Sequence, residues 1–310
     1  LAAAESLRII CGPTGAGKSA LAMALAREHA ATILSADSRQ VYRGFDIGTA
    51  KPTRREQREV PHRGIDVCEP TERYSAAKWA ESARLWIAES HAAARAPLVV
   101  GGAGLYLRAL VEPLFDEPPL DPARREALEA ALESHSVGEL RRWCEQLDPA
   151  RAHLGRTQLL RAITVALLSG TPISAWHARE PRAAGLAARY LVVDPGAGLS
   201  ARLDERLATM LEMGWEREVE QLARTVPADA PAWNGTGYRW IRSAVMKECS
   251  LEDALARVRI DTRQYAKRQR TWFRHQLPAA RVTRIDPGAP DALERAMSWW
   301  TATDDGGVLA

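Results

Sequence analysis

Apolar positions along the chain fall into two successive rhythms. Residues 7–11 (Leu-Arg-Ile-Ile-Cys) form a short apolar run that meets Gly12-Pro13, and the Ala- and Leu-rich stretch 20–28 then favours helix. Thr32 to Ser35 and Pro97 to Val100 read as further strands. Between them, Ser75 to Arg95 carries Trp79, Ala83, Trp86 and Ile87 near helical spacing. Strands alternating with helices predict a parallel sheet covered on both faces.

The rhythm changes at 112–122, where four prolines fall together (113, 118, 119, 122). From Pro122 to about Ala178 only helical patterns occur, with breaks near Ser136, Pro149 and Pro172. A strand pattern returns at Ala188 to Val193. Helices are then predicted at 200–213, 216–225, 238–247 and 251–276, and a frayed tail over the last ten residues. The fold class expected is α/β: a phosphate-loop parallel sheet core flanked by helices, with an inserted all-helical domain. The domain bounds expected are 1–115 and 188–310 for the core and 116–187 for the insertion.

At 310 residues with 46% hydrophobic and 26% charged positions, the chain can bury a large core, and disorder is excluded as its general state. No apolar run approaches the roughly 20 residues of a membrane helix, so no membrane association is expected. The net charge of +3 is too mild to announce a polyanionic partner, so one must be sought locally. The four cysteines are scattered without a CxxC pair, which predicts reduced thiols rather than zinc or disulfides. The first residues lack a signal-peptide pattern, and a cytoplasmic setting is expected.

Gly12-Pro13-Thr14-Gly15-Ala16-Gly17-Lys18-Ser19 fits GxxxxGK[ST] between a strand and a helix. Glycines let backbone N–H groups converge on one anion, the helix offers its positive end, Lys18 adds charge, and Ser19 is placed to ligate Mg²⁺. The pattern belongs to nucleotide-binding and ATP-binding proteins generally; it specifies a diphosphate or triphosphate, not ATP. Asp37, just beyond the second strand, faces the binding crevice of such a sheet. It is equally suited to hold Mg²⁺, to accept a proton, or to cap the next turn. Gly101-Gly102-Ala103-Gly104 forms another turn at the same edge. Asp194, followed by Pro-Gly, reads as a turn residue before it reads as a metal-holding one.

Between Arg257 and Arg284 stand nine basic residues and one acid, Asp261. Arg263, Lys267, Arg270 and Arg274 share one helical face, with Trp272 and Phe273 interleaved. A polyphosphate backbone is the natural partner of such a face. Arg151, His153, Arg156, Gln158 and Arg161 form a second candidate patch, or merely decorate a helix. The residues leave three readings: a small-molecule kinase, an enzyme acting on nucleic acid with a phosphorylated donor, or an RNA-binding protein that retains the loop as a structural anion site.

Several runs resemble the bacterial tRNA dimethylallyltransferases, also called tRNA isopentenyltransferases. They are Gly-Pro-Thr-Gly-Ala-Gly-Lys-Ser (12–19), Ser-Ala-Asp-Ser-Arg-Gln-Val-Tyr (35–42), Asp-Ile-Gly-Thr-Ala-Lys-Pro (46–52), Pro-His-Arg (61–63), Tyr-Ser-Ala-Ala (74–77), Gly-Gly-Ala-Gly-Leu-Tyr-Leu (101–107), Gly-Tyr-Arg (237–239) and Thr-Arg-Gln-Tyr-Ala-Lys-Arg-Gln-Arg-Thr-Trp-Phe-Arg (262–274). They run in order over roughly 7–285, and the 35–52 and 262–274 runs are the specific ones. The resemblance implies transfer of a dimethylallyl group from its diphosphate, with Mg²⁺, to the N6 amine of the adenosine immediately 3′ of the anticodon. It implies Asp37, Thr14 and Arg239 as catalytic residues and Gly12 through Ser19 as the diphosphate cradle. Its tRNA contacts would be Asp37, Ser38, Arg39 and Gln40; Ala103; Thr157, Gln158, Leu159, Leu160 and Arg161; Asn234, Gly235, Thr236, Gly237, Tyr238 and Arg239; and Lys267, Arg268, Gln269, Arg270, Thr271, Trp272, Phe273 and Arg274. The insertion would hold the anticodon stem-loop, the base would flip into a channel, and the chain would act as a monomer. Ala103 departs from the family, which commonly has Thr there; Ser38 or a water is the candidate substitute for the lost hydroxyl.

Overall fold

The computed structural model describes residues 6–112, 118–179 and 185–302. Six parallel strands form one sheet in the order β3-β2-β4-β1-β5-β6. They are β1 (Leu7–Cys11), β2 (Ala31–Ala36), β3 (His62–Arg63), β4 (Ala96–Gly101), β5 (Ala188–Val193) and β6 (Val282–Ile285). The central strands are buried along nearly their whole length, as their continuous apolar character requires when both faces are covered. Ala31 and Ile33 of β2, with Leu98 and Val100 of β4, pack against the helices Lys18–Glu28 and Ala292–Thr301 through Met23, Leu25, Trp299 and Trp300. The helix Ala76–Ala92 also packs on β2 and β4. Its Trp79 is fully buried and donates its indole N–H to Ser35 O (2.9 Å).

Register fixes where the loops emerge. Cys11 pairs with Gly101, and Ala36 pairs with Gly101 from the other side. The loops after β1, β2 and β4 therefore leave one carboxyl edge side by side, the place where open parallel sheets bind ligands. Gly101 stands there because the strands close in: a Cβ on it would lie 2.0 Å from Ala36 O.

The chain forms two compact units, 1–111 with 186–310, and 112–185. The bound expected at 115/116 falls outside the described residues. The second unit contains the helices Pro122–Leu132, Val137–Leu147, Arg156–Ser169 and Ile173–Arg179. Leu132, Leu140, Cys144, Leu159, Ile163 and Ile173 form a core of its own.

Several elements depart from the sequence expectation, among them the helices Arg54–Glu59 and Gly104–Val111. β3 has two residues and β6 four, each on an edge of the sheet and partly exposed, too short for a periodic signal. The helix Ala292–Thr301 is another, and it runs into the stretch read as a tail; residues beyond 302 lie outside the described set. The four cysteines carry free thiols, three of them buried.

Candidate active site

The loop after β1 passes through Gly12 at φ +145°, where a Cβ would meet Val193 O at 2.2 Å. Gly17 then adopts a left-handed conformation and opens the helix Lys18–Glu28, whose first turn has no side-chain cap. Uncapped N–H groups at a helix start suit an anion. Lys18 folds over the loop and donates from Nζ to Pro13 O (2.7 Å). Its burial, reinforced by the nearby Arg206 charge and opposed by Asp37, lowers its pKa to about 8.

The loop opens into a cavity of about 400 Å³, within the roughly 300–1,000 Å³ of small-molecule sites. Thr14 through Ser19 form one wall. Asp37, Arg39 and Gln40 reach it from β2, and Gly101 and Gly102 from β4. Asp37 Oδ1 accepts from Arg39 N (2.8 Å) and Gln40 N (3.4 Å). One carboxylate oxygen thus caps the turn, as one sequence reading allowed, and Oδ2 has no hydrogen-bond partner among the described residues. Gln40 ties this turn to the next loop, donating to Thr49 O (3.3 Å) and Ala50 O (3.1 Å).

The helix Leu199–Glu212 supplies what the sequence reading missed. Arg202 and Arg206 line the cavity four residues apart, on one face of the helix. Burial lowers the pKa of Arg206, and Asp37 opposes that shift. Lys18, Asp37 and Arg206 therefore form one electrostatic group at the loop. Leu203, Leu207 and Met210 run beside the arginines as an apolar ridge. The sequence pattern at residues 199–212 shows an amphipathic helix; that its arginines face the phosphate loop comes from the fold. Tyr265, inside the 262–274 run, also lines the cavity. Burial, then Asp37, pushes its hydroxyl pKa up to about 12.

The helix Leu251–His275 behaves differently from its sequence pattern. Gln269 is buried; it accepts from Thr14 N (2.8 Å) and donates to Gly102 O (2.8 Å), locking two active-site loops together. Phe273 is buried, and Trp272 packs on Gly104, where a Cβ would lie 2.4 Å from the indole. Arg270 is held by Asp194 (Nε 3.1 Å) and Arg263 by Asp204 (2.7 Å). The acids that balance this face come from other elements, which a reading of one helix could not see. Lys267, Arg268, Thr271 and Arg274 remain exposed.

Of the expected tRNA contacts, the side chains of Leu159, Tyr238, Gln269 and Phe273 are buried, Gln269 at the edge of the cavity. Tyr238 donates to Glu218 (2.7 Å) and accepts from Gly48 N (3.1 Å), holding the 46–51 loop. Gly235 and Gly237 are buried too, Thr236 lines the cavity, and Asn234 is exposed. Arg239, expected among the catalytic residues, lies outside the cavity. It is exposed, pairs with Asp261 (3.1 Å) and is not among the cavity's lining residues, whereas Arg202 and Arg206 are. Ser38 and Ala103 are partly exposed at the loop edge, with Ala103 N donating to Ala36 O (3.2 Å). Thr157, Gln158 and Arg161 are exposed on their helix, Leu160 partly so, while Arg156 donates to His135 O and Glu133 O within its own unit.

Among the described residues no three His, Cys, Asp or Glu side chains converge as a metal cage. The exposed Ser19 hydroxyl and Asp37 at the phosphate loop instead fit an ion that takes most of its ligands from phosphate and water, as Mg²⁺ does. No helix among the described residues is long and apolar enough to cross a membrane.

Residues 40–276 match the family model described as IPP transferase, and residues 5–66 that of isopentenyl transferase. The chain is 42% identical over 278 residues to the tRNA dimethylallyltransferase of Acaryochloris marina, covering 86% of this chain and 89% of that one. It is 42% identical over 302 residues to that of Rhodospirillum centenum, covering 94% and 95%. The crystal structure of the tRNA isopentenylpyrophosphate transferase of Bacillus halodurans superposes with a TM-score of 0.66 at 32% identity, covering 95% of this chain and 94% of that one. With an IPP transferase match over most of its length and relatives this similar, the chain belongs to the IPP transferase family, the family of the tRNA dimethylallyltransferases.

Proposed function

We propose that this protein transfers a dimethylallyl group from dimethylallyl diphosphate to the N6 amine of the adenosine immediately 3′ of the anticodon in tRNA. The observation that carries the reading is the single cavity in which the phosphate loop, Arg202 and Arg206 face Asp37 beside an apolar ridge. The loop and the arginines take the diphosphate, the ridge takes the isoprenoid, and Asp37 meets the acceptor.

In the reaction the donor's C1–O bond breaks and its electron pair leaves with the diphosphate, as the adenine N6 forms a bond to C1. Charge builds on the leaving oxygens. Loop N–H groups, Lys18 and Arg206 stabilise it more strongly in the transition state than in the ground state. The adenine amine is a weak nucleophile because its lone pair is delocalised into the ring, so positioning and proton removal matter. Asp37 Oδ2 accepts that proton, while Oδ1 stays bound to the turn and fixes the carboxylate's direction. Thr14, at the same wall, orients the reacting end of the donor. Mg²⁺, held by Ser19 and the diphosphate with Asp37 nearby, would neutralise leaving-group charge. Leu203, Leu207, Met210 and Val258 exclude water that would capture an allylic cation.

For the amine to reach Asp37 the adenine must leave the loop stack. Lys267, Arg268 and Arg274, exposed on one helix, supply phosphate contacts. The 112–185 unit grips the anticodon stem-loop through Thr157, Gln158 and Arg161. The chain works as a monomer in the cytoplasm. The test is incubation with tRNA and radiolabelled dimethylallyl diphosphate, followed by nuclease mapping. Label on the adenosine 3′ of the anticodon is expected. ATP turnover without label transfer would favour a kinase, and tRNA binding with neither activity a binding protein.

A further inference from the structure

The helix Leu199–Glu212 runs away from the phosphate loop. Leu203 lies against Gly15, where a Cβ would be 2.6 Å from Leu203 Cδ2. Met210 lies seven residues on, about 10 Å along the helix axis. There the cavity shares a wall with a second cavity of about 460 Å³: Ala50, Lys51, Pro52, Arg206 and Met210 line both. Of these, Met210 is the large apolar side chain, and it is 7% exposed. Beyond it the second cavity offers Ile47, Pro52 and Met213 as apolar lining. It is lined by Asp46 and Asp66 as well as by Lys51, Arg54 and Arg206, and Lys51 is already paired with both acids (2.7 and 2.6 Å). The uncapped helix start and Lys18 hold an anionic head group at the phosphate loop, so it is the apolar tail that points toward Met210.

We infer that Met210 is the chain-length stop of the donor site: it closes the groove on the side of the second cavity and bars longer allylic diphosphates from entering it. The inference rests on the proposed transfer from an isoprenoid diphosphate. Methionine suits a partition of this kind, because its unbranched side chain fills an irregular gap without a polar group. A ten-carbon donor would undergo the same step: its C1–O bond breaks toward diphosphate, N6 bonds to C1, and the amine proton passes to Asp37. Its second isoprene unit would occupy the space that Met210 blocks.

The test compares geranyl and dimethylallyl diphosphates as donors to tRNA, using the full chain and Met210→Ala. The geranyl-to-dimethylallyl ratio of kcat/KM is expected to rise by at least about tenfold, the scale on which a methylene-sized change in an apolar pocket discriminates substrates. An unchanged ratio in a variant that still transfers dimethylallyl would overturn the inference. If Met210→Ala turns over neither donor, calorimetry decides: the variant must gain affinity for geranyl diphosphate relative to dimethylallyl diphosphate, and no gain rejects the stop. Failure of the unaltered chain to transfer dimethylallyl would instead refute the function on which the inference depends.

Discussion

Asp37 divides its two oxygens between the turn and the cavity, so replacing it separates chemistry from binding. Asp37→Asn keeps an acceptor oxygen for Arg39 N but removes the base. Transfer should fall by at least about a hundredfold, a loss of the size expected for a general base, with tRNA affinity nearly unchanged in a filter-binding assay. Near-normal turnover would refute the assignment. Arg206 and Arg239 give a sharper contrast. Arg206→Ala should lower kcat and weaken donor binding together, since the guanidinium lies in the cavity, whereas Arg239→Ala should leave the donor's KM unchanged. Lys18 makes the site pH-sensitive. Its pKa of about 8 in the folded protein lies below the ordinary lysine value of 10.5, so the folded chain holds the proton less well than the unfolded chain. That works against stability below pH 8, and the penalty disappears as pH rises toward 10.5. A bound diphosphate favours the charged ammonium. Donor affinity should therefore fall above pH 8, and binding there should take up a proton, visible as a buffer-dependent calorimetric enthalpy.

The helix 251–275 is both scaffold and basic face, and its residues sort by direction. Gln269 closes a bridge from Thr14 N to Gly102 O. Gln269→Ala leaves a buried donor and acceptor unmet and should cost about 1–3 kcal/mol, read as a lower urea midpoint, with weakened donor binding. Lys267→Glu with Arg268→Glu should weaken tRNA binding and flatten its salt dependence, by about one unit of slope for each phosphate no longer neutralised. Arg270→Ala should act mainly on stability, because it severs the bonds to Asp194. The sequence pattern made this helix legible as basic and aromatic. It could not show that Asp194 and Asp204, from other parts of the chain, answer Arg270 and Arg263, nor that Gln269 and Phe273 point inward. The helix 199–212 shows the converse: its leucines at every fourth position were legible as helix, but the service of Arg202 and Arg206 to the phosphate loop depends on tertiary placement.

At the scale of the whole molecule, the strand–loop–helix at 7–28 and the strands at 31–36, 96–101 and 188–193 could be read from apolar runs and turn residues. The edge strands β3 and β6 could not, because two and four half-exposed residues carry no period. What the fold adds is adjacency: β2, β4 and β1 end together, bringing Asp37, Gly101 and the phosphate loop to one cavity although their numbers are far apart. That cavity is read as one that clasps an isoprenoid diphosphate, with RNA bringing the attacking nitrogen. Calorimetric titration with Mg²⁺ and tRNA present examines this most directly, comparing an unreactive thio-analogue of dimethylallyl diphosphate with ATP. Saturable binding of the analogue, lost in Lys18→Ala and not displaced by equimolar ATP, is the predicted result. A loop that binds ATP and is indifferent to the isoprenoid analogue would contradict it.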